Sequence, residues 1–473
     1  MSATLLDKLW GRHLVAAGAE DEELSLLFVD KSFLHEETTF AFSAIGGRAS
    51  SVRYPQRHVA FADHYAPTRP ELRHDLNRVS DEARVMLDTL ARNTAANAIP
   101  IYDVQHWDHG IMHVAAAQLG MVLPGMLVAG SDSHTCTVGA FGSYAFGIGQ
   151  TEHRQLLETQ TLWRRKPRSM HVTLNGTPNS GVSAKDVILF LIQQLGVRRA
   201  AGHVLEFDGD YVSSLCMDQR LTLCNMAIEA GALSGLVGPD AVTVSYLKGK
   251  PYAPSGEQWE AAVADWDGLR SDPAAKHNAA ILLRLRDVQP MLTWGTGLDQ
   301  AIAVTERIPN PDQFSDNALR QRATRALRYM GLEAGEPIAG TEIDVAFIGS
   351  CNSSRLYDLR AAAAVLKGNK VRVPTIIVPG AQAIRRQAEE EGLANIFIDA
   401  GCEWREPGCS MCVGSNGDTV SSGLRCASSS PRNFEGRQGP GARTHVMSAA
   451  MVAAAAVAGQ LHDVREFITG YTT

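Results

Sequence analysis

The sequence predicts an α/β fold of parallel sheets flanked by helices. Short apolar stretches, several rich in β-branched residues, each end in polar or turn residues, as buried parallel strands do. Helix-compatible segments separate these stretches, which is the alternation that βαβ crossovers require. The chain has 473 residues, of which 45% are hydrophobic and 20% charged, so it can bury a large core. At ~150 residues per domain, this length predicts about three domains.

Four stretches carry the strand prediction. They are 26–30 (LLFVD), 125–130 (GMLVAG), 345–350 (VAFIGS) and 373–380 (VPTIIVPG). Ligands gather at the carboxyl ends of strands in an open α/β sheet. The second stretch leads into Asp132, Ser133 and His134, and the third leads into Cys351. The sequence therefore predicts that these side chains belong to a functional site.

Three segments predict helices between the strands. They are 80–98, 183–196 and 382–392. Ser80 and Ser183 stand where an N-cap hydroxyl is preferred, and Gly196 follows the last apolar turn of the second segment. A further helix is expected inside the polar stretch 310–340. The basic stretch 164–170 is interpreted as a surface link.

Charge and targeting signals exclude several classes of protein. Lys and Arg number 44 against 51 Asp and Glu, which gives a net charge of −7 and no basic block of a nucleic-acid binder. Asp7 and Lys8 interrupt the apolar run that a secretory signal needs. The longest small apolar run, 449–459, is far short of the ~20 residues of a membrane span. We therefore expect a cytoplasmic protein.

Cys351, Cys409 and Cys412 are candidate metal ligands. The last two form a Cys-x-x-Cys motif after a Pro-Gly turn, and thiolates are soft ligands for iron–sulfur clusters and zinc. Structural zinc usually takes four ligands in paired motifs, so three cysteines fit a cluster with one open iron. A redox dithiol and two buried thiols are the alternatives. A buried inert thiol is expected for each of Cys136, Cys216, Cys224, Cys402 and Cys426.

Histidines close to carboxylates are candidate acid–base residues. The pairs are Asp63 with His64, and Asp132 with His134. A neighbouring Asp fixes the tautomer of an imidazole and raises its basicity, although a structural histidine is the ordinary alternative. His109 and His113 have i, i+4 spacing and could share a helix face as metal ligands, but no HExxH motif accompanies them.

Two glycine-rich stretches differ in what they predict. The stretch 139–150 lacks the last glycine of a dinucleotide fingerprint, and the sequence has no Walker A or GxSxG motif. The stretch 432–443 carries Arg432, Arg437 and Arg443, which suit bidentate capture of carboxylates. A solvated basic loop is the alternative for this second stretch.

The ordered motifs give the chain a family resemblance. It resembles the large subunits of 3-isopropylmalate dehydratase, in the aconitase superfamily, essentially from end to end. The motifs include VDKSFLHEET (29–38), GSDSHT (130–135), KDVI (185–188), TLCNMAIEAGA (222–232), PGCSMC (407–412) and RNFEGRQG (432–439). The resemblance implies three aconitase-type α/β domains around a [4Fe-4S] cluster, at 1–167, 168–300 and 301–473. The third would carry the CxxC and the arginine loop.

The resemblance also implies a role for each matching residue. Cys351, Cys409 and Cys412 would hold the cluster, whose fourth iron would take the substrate. The implied acid–base residues are Asp63, His64, His113, Asp132, His134 and Glu229, with His113 beside Glu229 and His134 beside Asp132. The implied contacts to substrate carboxylates are His35, Ser133, Arg432 and Arg437. Asn225 would support the cluster environment.

The implied reaction is the isomerisation of 2-isopropylmalate to 3-isopropylmalate by dehydration and rehydration, in leucine biosynthesis. Because the chain ends at Thr473, we expect the swivel domain on a separate small subunit, and hence a heterodimer. Asn352 and Pro431 depart from the family pattern beside the cluster site. A paralogous isomerase of another 2-substituted malate is therefore the alternative, and a clusterless RNA-binding protein is a third interpretation.

Overall fold

The computed structural model describes residues 2–18, 23–46, 51–196 and 198–468. The chain divides into two compact units, each assembled from separated stretches. Unit 1 comprises Met1–Ala66, Asp75–Asn175 and Ala200–Leu283. Unit 2 comprises Pro67–His74, Gly176–Arg199 and Arg284–Thr473. The division into domains at 1–167, 168–300 and 301–473 stays a prediction.

The strands are short, as is usual in α/β proteins. Those that begin in unit 1 are β1 (Leu14–Ala17), β2 (Leu24–Phe28), β3 (Lys31–Leu34), β4 (His58–Phe61), β5 (Ile101–Tyr102), β6 (Leu127–Gly130), β7 (Tyr144–Gly147), β8 (Thr161–Arg165), β9 (Arg168–Asn175), β10 (His203–Asp208), β11 (Ser234–Val237) and β12 (Ala279–Arg284). Those of unit 2 are β13 (Met291–Thr293), β14 (Ala301–Ala303), β15 (Val345–Ile348), β16 (Thr375–Ile377), β17 (Glu403–Trp404), β18 (Arg425–Ser428) and β19 (Arg443–Val446).

Helices alternate with the strands in both units. Those of unit 1 are α1 (Leu5–His13), α2 (Thr39–Gly46), α4 (Asp81–Ala96), α5 (Met112–Gln118), α6 (Gln150–Thr159), α8 (Asp210–Ser214), α9 (Met217–Met226), α10 (Ala241–Leu247) and α11 (Glu257–Asp267). Those of unit 2 are α3 (Pro70–Arg73), α7 (Ala184–Leu195), α12 (Asn317–Met330), α13 (Leu356–Leu366), α14 (Gln382–Glu390), α15 (Leu393–Ala400) and α16 (Ala449–Ala458). Among the helices of the described ranges, none has the length and apolarity to span a bilayer.

The predicted helices are confirmed, with their caps. Ser80 Oγ accepts from Ala83 N at 3.2 Å at the start of α4. At the start of α7, Asp186 Oδ2 accepts from the backbone N–H of Ser183 at 2.8 Å. Gly196 follows α7 with φ +64°, a value that glycine adopts without steric cost. The helices α14 and α12 occupy the third segment and the polar stretch, respectively.

A parallel five-stranded sheet organises the first part of unit 1. Its order is β5-β4-β3-β6-β7, and every neighbouring pair runs parallel. Phe33, Phe61 and Val128 on these strands are completely buried, as expected for a sheet covered on both faces. Residues from α2 and α4, such as Phe42 and Leu90, belong to the core cluster beside it. Because β3, β4 and β6 are adjacent, the residues that follow their carboxyl ends come together.

Two further sheets complete unit 1, and they correct two expectations. In the sheet β11-β10-β9-β12, the strands β9, β10 and β11 run parallel. The prediction of a parallel strand at 26–30 is wrong, because β2 pairs antiparallel with both β1 and β8. A short connection from β1 allows only this antiparallel return. The predicted link 164–170 is also wrong, because β8 ends at Arg165 and β9 begins at Arg168.

Unit 2 is built on a second five-stranded parallel sheet. Its order is β17-β16-β15-β18-β19, again with every neighbouring pair parallel. The strand predicted at 345–350 is the central strand β15, and the one predicted at 373–380 is its neighbour β16. Met411, inside the CxxC motif, belongs to the core cluster that contains Phe347 and Val378. The predicted α/β fold class is therefore confirmed, and the core of unit 2 holds the CxxC motif in place.

Candidate active site

Several of the predicted polar site residues of unit 1 follow three adjacent strands and lie at one edge of its first sheet. His35 follows β3, Asp63 and His64 follow β4, and Asp132 and His134 follow β6. The carboxyl ends of these strands lie side by side because the strands are parallel neighbours. This position was expected for 132–134, whereas no strand was predicted before Asp63.

Four of these residues and Glu229 form a continuous row, here called the acid–base row. Asp63 Oδ1 lies 2.6 Å from His64 Nδ1, and His64 Nε2 lies 3.4 Å from Asp132 Oδ2. Asp132 Oδ1 lies 3.3 Å from His134 Nδ1, and His134 Nε2 lies 2.9 Å from Glu229 Oε1. Carboxylates and imidazoles alternate along the row, so each histidine has a carboxylate at both ring nitrogens. Such an arrangement can hold and pass protons.

The row fixes the protonation of its members. Burial acts to lower the pKa of His134, but hydrogen bonds to Asp132 and Glu229 outweigh it and raise this pKa to about 9. Burial opposes the charge of Asp132, yet hydrogen bonds to His134 and His64 hold its pKa well below the usual range. The charge of His64 likewise keeps the pKa of the buried Asp63 below its ordinary value. His134 therefore carries a proton at neutral pH beside ionised carboxylates.

Glu36 supports the row and was missed by the sequence reasoning. Its carboxylate accepts from the backbone N–H of Tyr65 at 3.0 Å and of His64 at 3.4 Å. Burial raises the pKa of Glu36 to about 7. The sequence signal was an acid directly after a candidate histidine at the end of a strand.

His35 packs on the row through its ring. The rings of His35 and His64 stack with centroids 4.3 Å apart, and burial lowers the pKa of His35. One ligand atom from each of His35, Glu36 and His64 lies within 4.8 Å of the others, a spacing that a metal ion could bridge. The backbone N–H groups bound to Glu36 already use its carboxylate, so we interpret it as a structural brace.

The remaining predicted residues of unit 1 lie on neighbouring elements. His113 is in the first turn of α5, with its ring centroid 6.4 Å from that of His134. The shared helix face for His109 and His113 is wrong, because α5 begins only at Met112 and His109 Nε2 bonds to Ala62 O at 2.6 Å. Ser133 lines a cavity of about 510 Å³. Asn225 Nδ2 donates to Thr137 Oγ1 at 2.8 Å.

Unit 2 brings Cys351 and the CxxC motif together. Cys351 follows β15 through Gly349 and Ser350, and Cys409 follows β17 on the same parallel sheet. Ser350 Oγ lies 3.3 Å from Cys412 Sγ and 3.9 Å from Cys351 Sγ. The three thiols are buried, with exposures of 6% to 7%. Cysteines far apart in the sequence therefore share one buried neighbourhood.

Two serines beside the thiols adopt a left-handed backbone. Ser350 has φ +76° and Ser410 has φ +48°. A non-glycine residue in this region costs on the order of 1 kcal/mol or more and persists only when its surroundings hold it. Asp418 Oδ2 accepts from Ser410 Oγ at 2.8 Å, and Asp418 Oδ1 accepts from Arg405 Nη1 at 2.8 Å. The loop of the CxxC is thus pre-shaped by a buried ion pair.

Two of the three predicted arginines, Arg432 and Arg437, lie in the loop that follows β18. Arg437 Nη2 lies 3.8 Å from Cys412 Sγ, and its guanidinium lies 5.5 Å from the Phe434 ring centroid. Asn433 Nδ2 donates to Gly295 O at 2.7 Å, which fixes the loop beside Arg432. Arg443 is the first residue of β19 and so belongs to the sheet instead.

The other cysteines are buried, with one exception. Cys136, Cys224, Cys402 and Cys426 are buried as expected. Burial raises the pKa of Cys402 to about 12, so it is a neutral thiol despite its closeness in sequence to the CxxC. The expectation is wrong for Cys216, which is exposed at the start of α9.

The fold and these side chains define a class of protein. One α/β unit carries a largely buried row of carboxylates and imidazoles, and the other carries three buried thiols, one of which lies 3.8 Å from Arg437. The chain belongs to the aconitase family: the family model for aconitase (aconitate hydratase) matches residues 7–459. The family is named after a hydratase, an enzyme that adds water to a substrate or removes it.

One solved structure is similar to this chain over most of its length. It is the crystal structure of Thermococcus kodakaraensis aconitase X in its holo form, with 11% sequence identity and a TM-score of 0.47. The match covers 86% of this chain and 84% of that chain. A likeness at this level carries no argument about activity.

Proposed function

We propose that the chain is the cluster-bearing large subunit of a hydro-lyase that isomerises 2-isopropylmalate to 3-isopropylmalate. One observation carries the proposal: Ser350 Oγ lies 3.9 Å from Cys351 Sγ and 3.3 Å from Cys412 Sγ, so two cysteines far apart in the sequence are close together. Membership of the aconitase family supports the reaction class. The ordered motifs of the sequence support the substrate class.

The thiols of unit 2 fit an iron–sulfur cluster. Cys351, Cys409 and Cys412 offer soft donors at buried positions, and Arg437 brings a positive charge within 3.8 Å of one sulfur. The strained backbone of Ser350 and Ser410 supports a site that is shaped before it is filled. These three cysteines would hold a [4Fe-4S] cluster, which when bound supplies a Lewis acid for the departing hydroxyl.

The acid–base row would supply protons to the reaction. Dehydration removes a hydroxyl from one carbon and a proton from its neighbour, so the departing hydroxyl needs a proton donor. We assign this donor to His64, whose Nδ1 lies 2.6 Å from Asp63 Oδ1. Asp132 contacts both His64 and His134, so the protonated His134 would restore the proton that His64 gives up. Rehydration would run the same transfers in reverse.

Other residues would bind the two carboxylates of the substrate. Guanidinium groups make paired hydrogen bonds to a carboxylate, and we assign this role to Arg432 and Arg437. His35 and Ser133 would add single contacts. Asn225 would support the cluster environment, and His113 would act beside Glu229 as a further acid–base pair.

A small subunit is part of the proposal. It would carry the serine base that takes the proton from carbon, and leucine biosynthesis would be the pathway. The alternative function, a paralogous isomerase of another 2-substituted malate, differs from this proposal in the side chain of the substrate. Pro431 is buried directly before Arg432 and has no backbone N–H to donate, which favours testing other 2-substituted malates beside 2-isopropylmalate.

The test is anaerobic reconstitution followed by assay with a matching small subunit. The proposal expects about four irons and four sulfides per chain, and turnover of a 2-substituted malate. The variant Cys351→Ser should lose most of the iron, whereas Cys402→Ser, which changes another buried thiol, should keep it. Full iron in Cys351→Ser, or no turnover of any such malate with the cluster intact, would refute the proposal.

A further inference from the structure

Lys185 is a buried lysine that the proposed function does not use. It lies in the first turn of α7, within the KDVI motif, and is 3% exposed. Its Nζ donates to three oxygens of unit 2: the backbone carbonyls of Ser429 and Ser430, the latter at 3.1 Å, and Ser353 Oγ at 3.4 Å. The ammonium group of lysine has three N–H donors, and each of these contacts is to an acceptor of neutral charge.

The three acceptors belong to two loops of the candidate site. Ser353 comes two residues after Cys351, and Ser429 and Ser430 directly precede Pro431 and Arg432. The same loops also meet without the lysine, because Gly349 N donates to Ser429 Oγ at 2.9 Å. Lys185 therefore joins the turn that carries Cys351 to the loop that carries the arginines.

The charge of Lys185 points to a negative group nearby. A buried cation is costly unless an anion compensates it. The neighbouring Asp186 is occupied elsewhere, since its Oδ1 accepts from Met291 N at 2.8 Å and its Oδ2 from Ser183 N. Burial lowers the pKa of Lys185 to about 7, and the charges of Asp358, Cys351, Asp186 and Cys412 act in the opposite direction. Thiolates bound to a cluster would supply such a negative charge.

We propose that Lys185 is a positioning residue that ties the Cys351 turn to the arginine loop and that its charge retains an anionic thiolate-bound cluster. The second half of this inference rests on the proposed function. The first half concerns the protein alone and holds in the cluster-free chain.

The test compares Lys185→Met with Lys367→Met, which removes an exposed lysine of the same unit. Amide hydrogen exchange of the cluster-free chains measures how firmly Lys185 holds the Cys351 turn and the arginine loop together. Lys185→Met should speed exchange at least tenfold over 349–354 and 428–433, while Lys367→Met should match the wild type. After reconstitution, the decay of the visible absorption in air should be at least tenfold faster in Lys185→Met than in either control.

Thermal unfolding of the cluster-free chains separates these local effects from global loss of structure. If Lys185→Met does not fold, Ser353→Ala removes one of the three acceptors and should still raise both rates by about twofold to fivefold. Exchange rates equal to the wild type in both variants would show that Lys185 does not hold the two loops together. A rate of cluster decay equal to the wild type would overturn the electrostatic role. A wild-type chain that takes up no cluster would refute the proposed function and the electrostatic role together. The exchange data would still decide whether Lys185 joins the two loops.

Discussion

His134 Nε2 lies 2.9 Å from Glu229 Oε1, and Asp132 Oδ1 lies 3.3 Å from the other ring nitrogen of the same histidine. The imidazole is thus held between two carboxylates, and both of its nitrogens face acceptors. This geometry favours the doubly protonated ring. It also links Glu229, which follows α9, to the polar residues at the end of β6.

Glu229→Gln should shift the pH dependence of turnover. The change removes one of the two charges that raise the pKa of His134 to about 9, so this pKa should fall. If His134 must be protonated, the alkaline limb of the kcat profile should move to lower pH, and kcat at pH 8 should drop by about tenfold. Glu206→Gln is the matched control, because Glu206 contacts His277 at 3.1 Å in another part of unit 1. An unchanged alkaline limb would contradict the assigned role.

His134 should also make the stability of the cluster-free chain depend on pH. Its pKa is raised in the folded state from 6.5 to about 9, so its contribution is complete below pH 6.5 and is lost as the pH rises through 9. The free energy of unfolding of the wild type, minus that of His134→Gln, should shrink by on the order of 2 kcal/mol between pH 6 and pH 9.5. Urea titrations at both pH values measure this difference. His462→Gln, which changes a partly exposed histidine that pairs with Glu466, is the control variant.

Asp418→Ala should destabilise unit 2. The carboxylate accepts from Thr68, Ser410 and Arg405, and the change would leave the Arg405 guanidinium, with its side chain 3% exposed, beside one remaining carboxylate. Loss of one partner of a buried pair costs about 3–5 kcal/mol. We expect a lower urea midpoint and faster loss of iron from the reconstituted chain. Asp287→Ala changes an exposed carboxylate and should leave both properties unaltered.

Gly139→Ala should disrupt the turn that follows Asp132 and His134. A Cβ at this position would lie 1.9 Å from the carbonyl oxygen of Gly235 in β11, so the backbone would have to move. We expect a loss of about 3 kcal/mol or more in the free energy of unfolding, or no soluble protein. Gly149→Ala meets no atom within 4 Å and should cost less than about 1 kcal/mol. Equal stability of the two variants would rule out this steric account.

The cysteine and acid–base candidates could be recognised from the sequence because their chemistry is local. A CxxC after a turn, or an Asp next to a His, is visible in neighbouring letters. The brace of Glu36 under the Asp63-His64 turn was not visible, because its partners are backbone N–H groups 28 and 29 residues away. The antiparallel pairing of 26–30 was missed for a similar reason, since periodicity reports burial and not the direction of the partner strand.

The sequence by itself determined the α/β class, the approximate positions of a few strands and helices, and which residue types could carry chemistry. Apolar periodicity, capping residues and turn residues act over a few positions, so they can be interpreted without a partner. Only the tertiary structure decided that Glu229 contacts His134, that Ser350 lies between two thiols, and that Lys185 joins two loops. These contacts depend on strand order and loop closure, which bring together residues that no local pattern connects.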